Sequence, residues 1–375
     1  MTEQLFTQEP RIIETESQLR GRLVRRQVRN FFRSIAGHGI IIFIGLFFFI
    51  PFLWMILTAF KSNQDVSHTP PRLLPYDYKY VTVNGQQLPL YKVKTETGVR
   101  ELAAVKIAEG RGTFVDPFNP DQVFEYKLQQ GKERIAEAIM QITFRWQNFP
   151  DAMQRGSRPT VGTSFWVYFK NSLIVAFFCI IGTLLSNTPV AYAFARLKFP
   201  GKNLLFILVL ATMMLPFQVT MIPMYLLFNN VLHWGDSFLP LIVPAFFANA
   251  YDVFLLRQFF RTIPEEMSDA ARVDGASEWQ IFTQIVLPLS IPVLATVTVF
   301  TFLWAWNDFT GPLLFLTSPR NFTMALGLQD FQGQHTMVWN QMMAAATVFT
   351  LPIIIAFFFA QKTFIQGIKL TGLKE

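Results

Sequence analysis

Six long runs of this 375-residue chain hold almost no charge: 37–60, 172–194, 204–228, 238–256, 287–306 and 342–360. Asp252 is the one Asp, Glu, Lys or Arg among them. A lipid hydrocarbon core of about 30 Å takes about 20 residues of helix to cross. One such run could be a buried helix of a soluble protein. Six of them predict an all-α polytopic membrane protein with six transmembrane helices.

The charges are concentrated elsewhere. Residues 1–36 carry 7 basic and 4 acidic side chains, and 61–165 carry 14 and 11, so these two segments hold 36 of the 57 charges. The net +7 is therefore spread thinly over three regions, with no basic patch for nucleic acid. The partner it leaves is a lipid bilayer. A lone cysteine, Cys179, excludes a disulfide framework. Four scattered histidines (His38, His68, His233, His335) give no metal site.

Basic residues near helix ends set orientation. Arg20, Arg22, Arg25, Arg26, Arg29 and Arg33 precede the first run, which places the N-terminus in the cytoplasm. Six crossings then put Arg196, Lys198, Lys202, Arg257, Arg261, Arg272 and the tail lysines on the same side. The expected organisation is a cytoplasmic basic segment 1–36, a first helix 37–60 and an extracytoplasmic insertion 61–165. Helices two to six follow in 166–361, then a cytoplasmic tail 362–375. The first run is too long for a signal-peptide core and no cleavage site follows it.

The insertion reads as a small α+β unit. Asn84-Gly85 between two β-rich runs is a two-residue hairpin signal. Residues 109–112 read as a turn and 123–128 as a strand. Residues 132–142, with Ile135, Ala138, Ile139 and Ile142 at helical spacing, read as a helix. Its surface is either a docking site for an extracytoplasmic partner or a decoration without essential contacts.

The loop 262–288 carries the most information. Pro264 suits the first helical position, Glu265 and Glu266 favour a helix N-terminus, and Gly275 is a natural stop. Ser277 and Gln280 have capping-box spacing, and Pro288 reads as the start of the next membrane helix. By itself this is a helical hairpin on the membrane surface.

Asp269-Ala270-Ala271, then Asp274-Gly275-Ala276, then Ile285-Val286-Leu287-Pro288 resembles the EAA loop of ABC importer permeases, with Asp269 in place of the usual Glu. Asn171 to Ala176, Ala191 to Arg196, Leu255 to Phe260 and Trp306-Asn307-Asp308-Phe309 resemble carbohydrate-uptake permeases of the maltose type, MalG-like. The resemblance covers 37–75 and 144–375. It implies a permease subunit of a binding-protein-dependent importer for a sugar or oligosaccharide. Asp269, Ala270, Ala271, Asp274, Gly275, Leu287 and Pro288 would then couple it to two ATP-binding subunits. The other implied partners are a second, MalF-like permease and an extracytoplasmic solute-binding protein. It also implies that the loop 329–340 meets that binding protein and that the tail 367–375 approaches the ATPase.

No phosphate-binding G-x-x-x-x-G-K-[ST] motif is present. The chain is thus expected to be no enzyme and to bind no cofactor of its own, with ATP and Mg on the partner subunits. Candidate substrate-path residues are Asn187, Gln218, Asp252 and Trp304, each of which also has a helix-packing or interfacial reading. The competing class is an ion-coupled secondary transporter of a small polar solute, for which one intramembrane carboxylate and no internal repeat are thin support.

Overall fold

The computed structural model describes residues 16–95, 98–108, 110–130, 133–154, 163–329, 331 and 338–371. The chain divides into two compact units, Met1–Trp54 and Met55–Glu375. The first holds most of one long helix, α1 (Glu16–Ala59). The expected contacts of 332–337 and 372–375 lie outside the described residues.

The second unit opens with the end of α1 and a single capped turn, α2 (Asn63–Val66). A β-rich segment follows: β1 (Tyr76–Tyr78), β2 (Tyr80–Val83), β3 (Gln86–Thr95), β4 (Gly98–Ala108), β5 (Arg111–Asp116), β6 (Asn119–Lys127), β7 (Gln129–Gln130), β8 (Glu133–Arg134), β9 (Ala136–Ala138) and β10 (Met140–Ile142). Strands β2 to β6 form an antiparallel meander. Asn84 (φ 49°) and Gly85 (φ 78°) make the predicted two-residue turn between β2 and β3, where both positions need positive φ. Tyr91, Val93, Leu102, Ala104, Phe114 and Ala136 form the core of this unit.

The helix expected over 132–142 is wrong: the described part of that stretch forms β8, β9 and β10. A short apolar run fits either period, and the free edge of β3 decides it. Val93 pairs with Ala136 and Tyr91 with Ala138, which places Ala136 in the core. β1 pairs with β10, and Arg145 Nε donates to Asp77 Oδ2 at 2.6 Å beside that pair.

Helix α3 (Asn148–Gln154) leads to α4 (Phe165–Arg196). Then come α5 (Lys202–Thr212), α6 (Phe217–Leu226) with a π-helical turn Leu227–Val231, and α7 (Leu239–Ile242) running into a 3-10 turn Val243–Phe246. α8 (Ala250–Phe260), α9 (Glu265–Val273), α10 (Glu278–Gln280) with a π-helical turn Ile281–Val286, and α11 (Leu287–Leu289) follow. α12 (Ile291–Asn307), α13 (Thr310–Phe315), α14 (Met324–Gln329) and α15 (Trp339–Thr371) complete the chain.

Among the described residues four helices are long and apolar enough to cross a bilayer: Arg29–Ala59, Phe165–Arg196, Leu239–Phe260 and Trp339–Gln361. Two bent pairs raise the number to six if each is one span. α5 and α6 meet at 91°, and the segment from Glu278 to Leu289 meets α12 at 77°. Runs 204–228 and 287–306 are therefore not the straight helices their composition suggests. Pro216 caps α6 at the first bend. Pro288 does not begin a membrane helix: it lies in α11, and α12 starts at Ile291 beyond Ser290.

The neighbours of α4 are broken, and α4 supplies hydrogen bonds at or beside their breaks. Asn171 Nδ2 donates to the carbonyls of Arg320 and Phe322 at 2.9 Å each, and Ser172 Oγ accepts from Met324 N at 2.8 Å. Ser186 Oγ donates to Ala245 O at 3.2 Å, and Asn187 Oδ1 accepts from Asn249 N at 2.8 Å. Arg196 Nη2 donates to Phe260 O at 2.7 Å and also to Ile263 O. Non-helical backbone at membrane depth is tolerated only where protein or water satisfies it.

Close approach supplies the rest of the packing. A Cβ on Gly182 would lie 2.6 Å from the Phe246 ring and 3.0 Å from the Ala245 backbone. Small residues at such crossings let helices meet in lipid. Gly182→Leu is accordingly expected to destabilise the protein by about 1–3 kcal/mol through overpacking, read as a lower unfolding midpoint in detergent, with Gly39→Leu as the silent control.

Candidate functional site

The hairpin of α9 and α10 is closed by specific local bonds. Pro264 is the cap residue of α9 rather than its first helical residue, with Glu265 and Glu266 in the first turn. At the other end Ala276 N donates to Ala271 O at 2.9 Å and Gly275 N to Arg272 O at 3.1 Å. With Gly275 at φ 85° this is a Schellman termination, which places glycine in the left-handed region. Ser277 and Gln280 form the predicted capping box: Ser277 N donates to Gln280 Oε1 at 2.8 Å and Gln280 N to Ser277 Oγ at 3.3 Å.

The hairpin has two different faces. Ile281, Phe282 and Val286, with Ala271, Ala276 and Leu287 against them, pack into a core with Ala191, Tyr192, Phe194, Leu256 and Phe260. Leu287 is thus half-buried and Pro288 exposed. Asp269, Ala270, Asp274 and Gly275 are exposed. Beside them Val273 is 87% exposed, Trp279 67% and Met267 42%. Sequence reasoning passed over these three, although large apolar residues on a charged helix are a signal of an unfilled contact.

A second feature is a cavity of 710 Å³ whose lining includes Thr183, Phe247, Asn249, Asp252, Phe300 and Trp304. Asn249 caps α8: its Oδ1 accepts from Asp252 N at 2.9 Å, and its Nδ2 donates to Asp252 Oδ2. Fully buried Asn187 stands behind this wall, accepting from Asn249 N and donating to Thr183 O at 2.8 Å. Of the four candidate path residues, Asp252 and Trp304 thus line the cavity and Asn187 supports its wall through Asn249. Gln218 does not join them, being exposed on α6 and absent from the lining. Trp304 faces the cavity, whereas Trp306 is fully buried and donates to Phe349 O at 3.0 Å.

Asp236, unremarked in the sequence, clamps the connection between the third and fourth runs to the one after α13. Its carboxylate accepts from Thr317 N at 3.0 Å, Ser318 N at 2.9 Å and Ser318 Oγ at 2.5 Å. Asn321 Nδ2 donates to its carbonyl at 2.8 Å. Burial works against the ionised form, but the Ser318 hydroxyl and the amides of Ser318 and Thr317 outweigh it and hold the carboxyl well below the usual carboxylate range.

Residues 187–370 match the family described as binding-protein-dependent transport system inner membrane component. The chain is 35% identical over 225 residues to a putative ABC transporter permease of Caldicellulosiruptor sp., covering 58% of this chain and 82% of that one. It is 34% identical to the arabinooligosaccharides transport system permease of Bacillus subtilis, covering 57% and 75%. It is 37% identical to the sn-glycerol-3-phosphate transport system permease of Salmonella typhimurium, covering 54% and 73%. A bacterial ABC transporter that imports alginate has a chain of the same fold, with a TM-score of 0.58 at 17% identity over 94% of this chain and 99% of that one.

Because the Asp236 carboxyl is held low, its contribution to stability is complete above the ordinary carboxylate pKa of about 4 and is lost as pH falls from there through the lower folded value. Asp236→Asn is expected to lower the unfolding midpoint at pH 7 and to shrink the loss of stability between pH 5 and pH 3. Thermal denaturation of both proteins across that range checks it.

Proposed function

The chain belongs to the family of binding-protein-dependent transport system inner membrane components, and from that premise we propose how it works in import. It is the permease subunit of an ABC importer, with ATP hydrolysed on a separate subunit. Its cargo is a sugar, an oligosaccharide or a related polyol, a reading supported by the arabinooligosaccharide and glycerol phosphate permeases among its relatives. Its partners are two ATP-binding subunits carrying ATP and Mg, a second, MalF-like permease and an extracytoplasmic solute-binding protein. Both termini are cytoplasmic and the insertion 61–165 is outside.

The observation that carries this reading is the two-faced hairpin. Its inner face is fixed in the core, while Val273, Trp279 and Met267 stand exposed beside Asp269, Ala270 and Gly275. A rigid, pre-formed helix with unfilled apolar contacts suits a groove on an ATP-binding subunit. Closure of two such subunits would draw α9 with them and alternate the access of the permease pair, a rigid-body transition of a known kind. The cavity beside Asp252 and Trp304 offers an aromatic surface and fixed polar groups, as small-molecule sites do, and forms part of the substrate path.

Affinity purification in mild detergent is expected to bring down an ATP-binding subunit with the wild-type chain. Gly275→Trp, which puts bulk and a disfavoured φ at the exposed turn, is expected to abolish both co-purification and uptake. A chain that purifies alone and transports under a proton gradient without ATP would refute the assignment.

A further inference from the structure

The hairpin is tied to α4 by a bond that docking does not require. Tyr192, 5% exposed on α4, donates its hydroxyl to Glu278 Oε2 at 2.7 Å. The other oxygen, Glu278 Oε1, accepts from Arg272 Nε at 2.8 Å, and Arg272 Nη1 donates to Asp269 Oδ1 at 2.7 Å. One carboxylate thus joins a buried membrane tyrosine to both halves of the hairpin, to α10 through its own backbone and to α9 through Arg272.

The pairs within the hairpin are weak by themselves. The side chains of Arg272, Asp269 and Glu278 are 39%, 67% and 43% exposed, and solvated ion pairs add little stability. The tyrosine bond differs because its donor is buried beside the Phe282 ring, 5.0 Å away, where a phenol hydroxyl needs a partner. It is also charge-assisted, the stronger class of hydrogen bond.

Position gives the bond its meaning. Arg196, one turn further along α4, already holds the carbonyls of Phe260 and Ile263 at the start of the hairpin. A body held at one end pivots, whereas a body held at both ends carries its neighbour with it. Between the two holds lies the Gly275 turn, the one place in the hairpin where the chain leaves its helical path through a left-handed glycine. On the same helix Thr183 lines the cavity and Asn187 supports its wall.

Building on the coupling role assigned above, we propose that Glu278 is a positioning residue that latches the α9–α10 hairpin to α4 through Tyr192. Displacement of α9 by an ATP-binding subunit then reaches the cavity wall along α4 instead of being absorbed at Gly275. Tyr192→Phe removes one oxygen and Glu278→Gln removes one charge, so both variants keep the packing volume.

The test uses the full importer complex in lipid nanodiscs, with Thr183→Cys as a reporter in a Cys179→Ser background. The rate of maleimide labelling is measured with and without ATP plus vanadate. In the latched reference, which keeps Tyr192 and Glu278, ATP is expected to change that rate by about fivefold or more. Tyr192→Phe, Glu278→Gln and the double variant are each expected to reduce the change to less than about twofold, the double being no worse than either single, with the ATP-binding subunits still bound and the unfolding midpoint retained. Full ATP response in the single variants, or no ATP response in the reference, would overturn the latch. So would loss of the ATP-binding subunits in the single variants, since Glu278 would then belong to the docking surface. Absence of ATP-binding subunits from the reference complex would instead strike at the coupling role itself.

Discussion

A backbone amide or carbonyl left unpaired in hydrocarbon costs several kcal/mol, and the second unit of this protein is arranged around that constraint. Its helices break at 213–216, 247–249 and around Ser290, and short segments replace continuous helix between Asp308 and Gln329. α4 stays unbroken for 32 residues despite Pro189. Its asparagines, serines and arginine bond backbone groups at or beside several of these interruptions. The polar residues of this apolar helix thus stand in for the water that a soluble protein would use.

The cavity follows from the same arrangement. The chain leaves its helical path at Phe247 and resumes it at Ala250, which opens space beside α4 and α12. Asn187 binds the amide of Asn249, Asn249 caps α8, and Asp252 in the first turn accepts from the Asn249 side chain. A carboxylate in the first turn of a helix also meets the positive end of its dipole. One break thereby creates the space and fixes the polar groups facing it.

Much of this was legible in the sequence. The uncharged runs coincide with four long apolar helices and two bent pairs, because length and composition suffice to mark such segments. The Asn84-Gly85 turn, the Gly275 stop and the Ser277–Gln280 capping box were readable because each depends on residues close in sequence. The bends were not, since Pro216 and Pro288 mark an interruption without giving its angle, and proline at 288 marked the wrong residue. Strands β9 and β10, within 136–142, were missed because their partners, β3 and β1, lie more than forty residues earlier. Asp236 and the Tyr192–Glu278 pair were invisible for the same reason: each joins segments about eighty residues apart, and no local pattern announces that. Gln218 was a candidate because it sits beside the Pro216 interruption of its run, and an interruption does not decide the direction a side chain faces.

The β-rich segment leaves and rejoins the rest of its unit through one narrow stalk, where β1 runs beside β10 and Arg145 grips Asp77. Its two connections are neighbours in space although they are more than sixty residues apart in the chain. A segment rooted in this way can be lengthened, shortened or exchanged between lineages without asking the membrane helices to shift. Such modules are free to diverge quickly while the machinery below them is held constant, so its surface is where related importers would be expected to differ most.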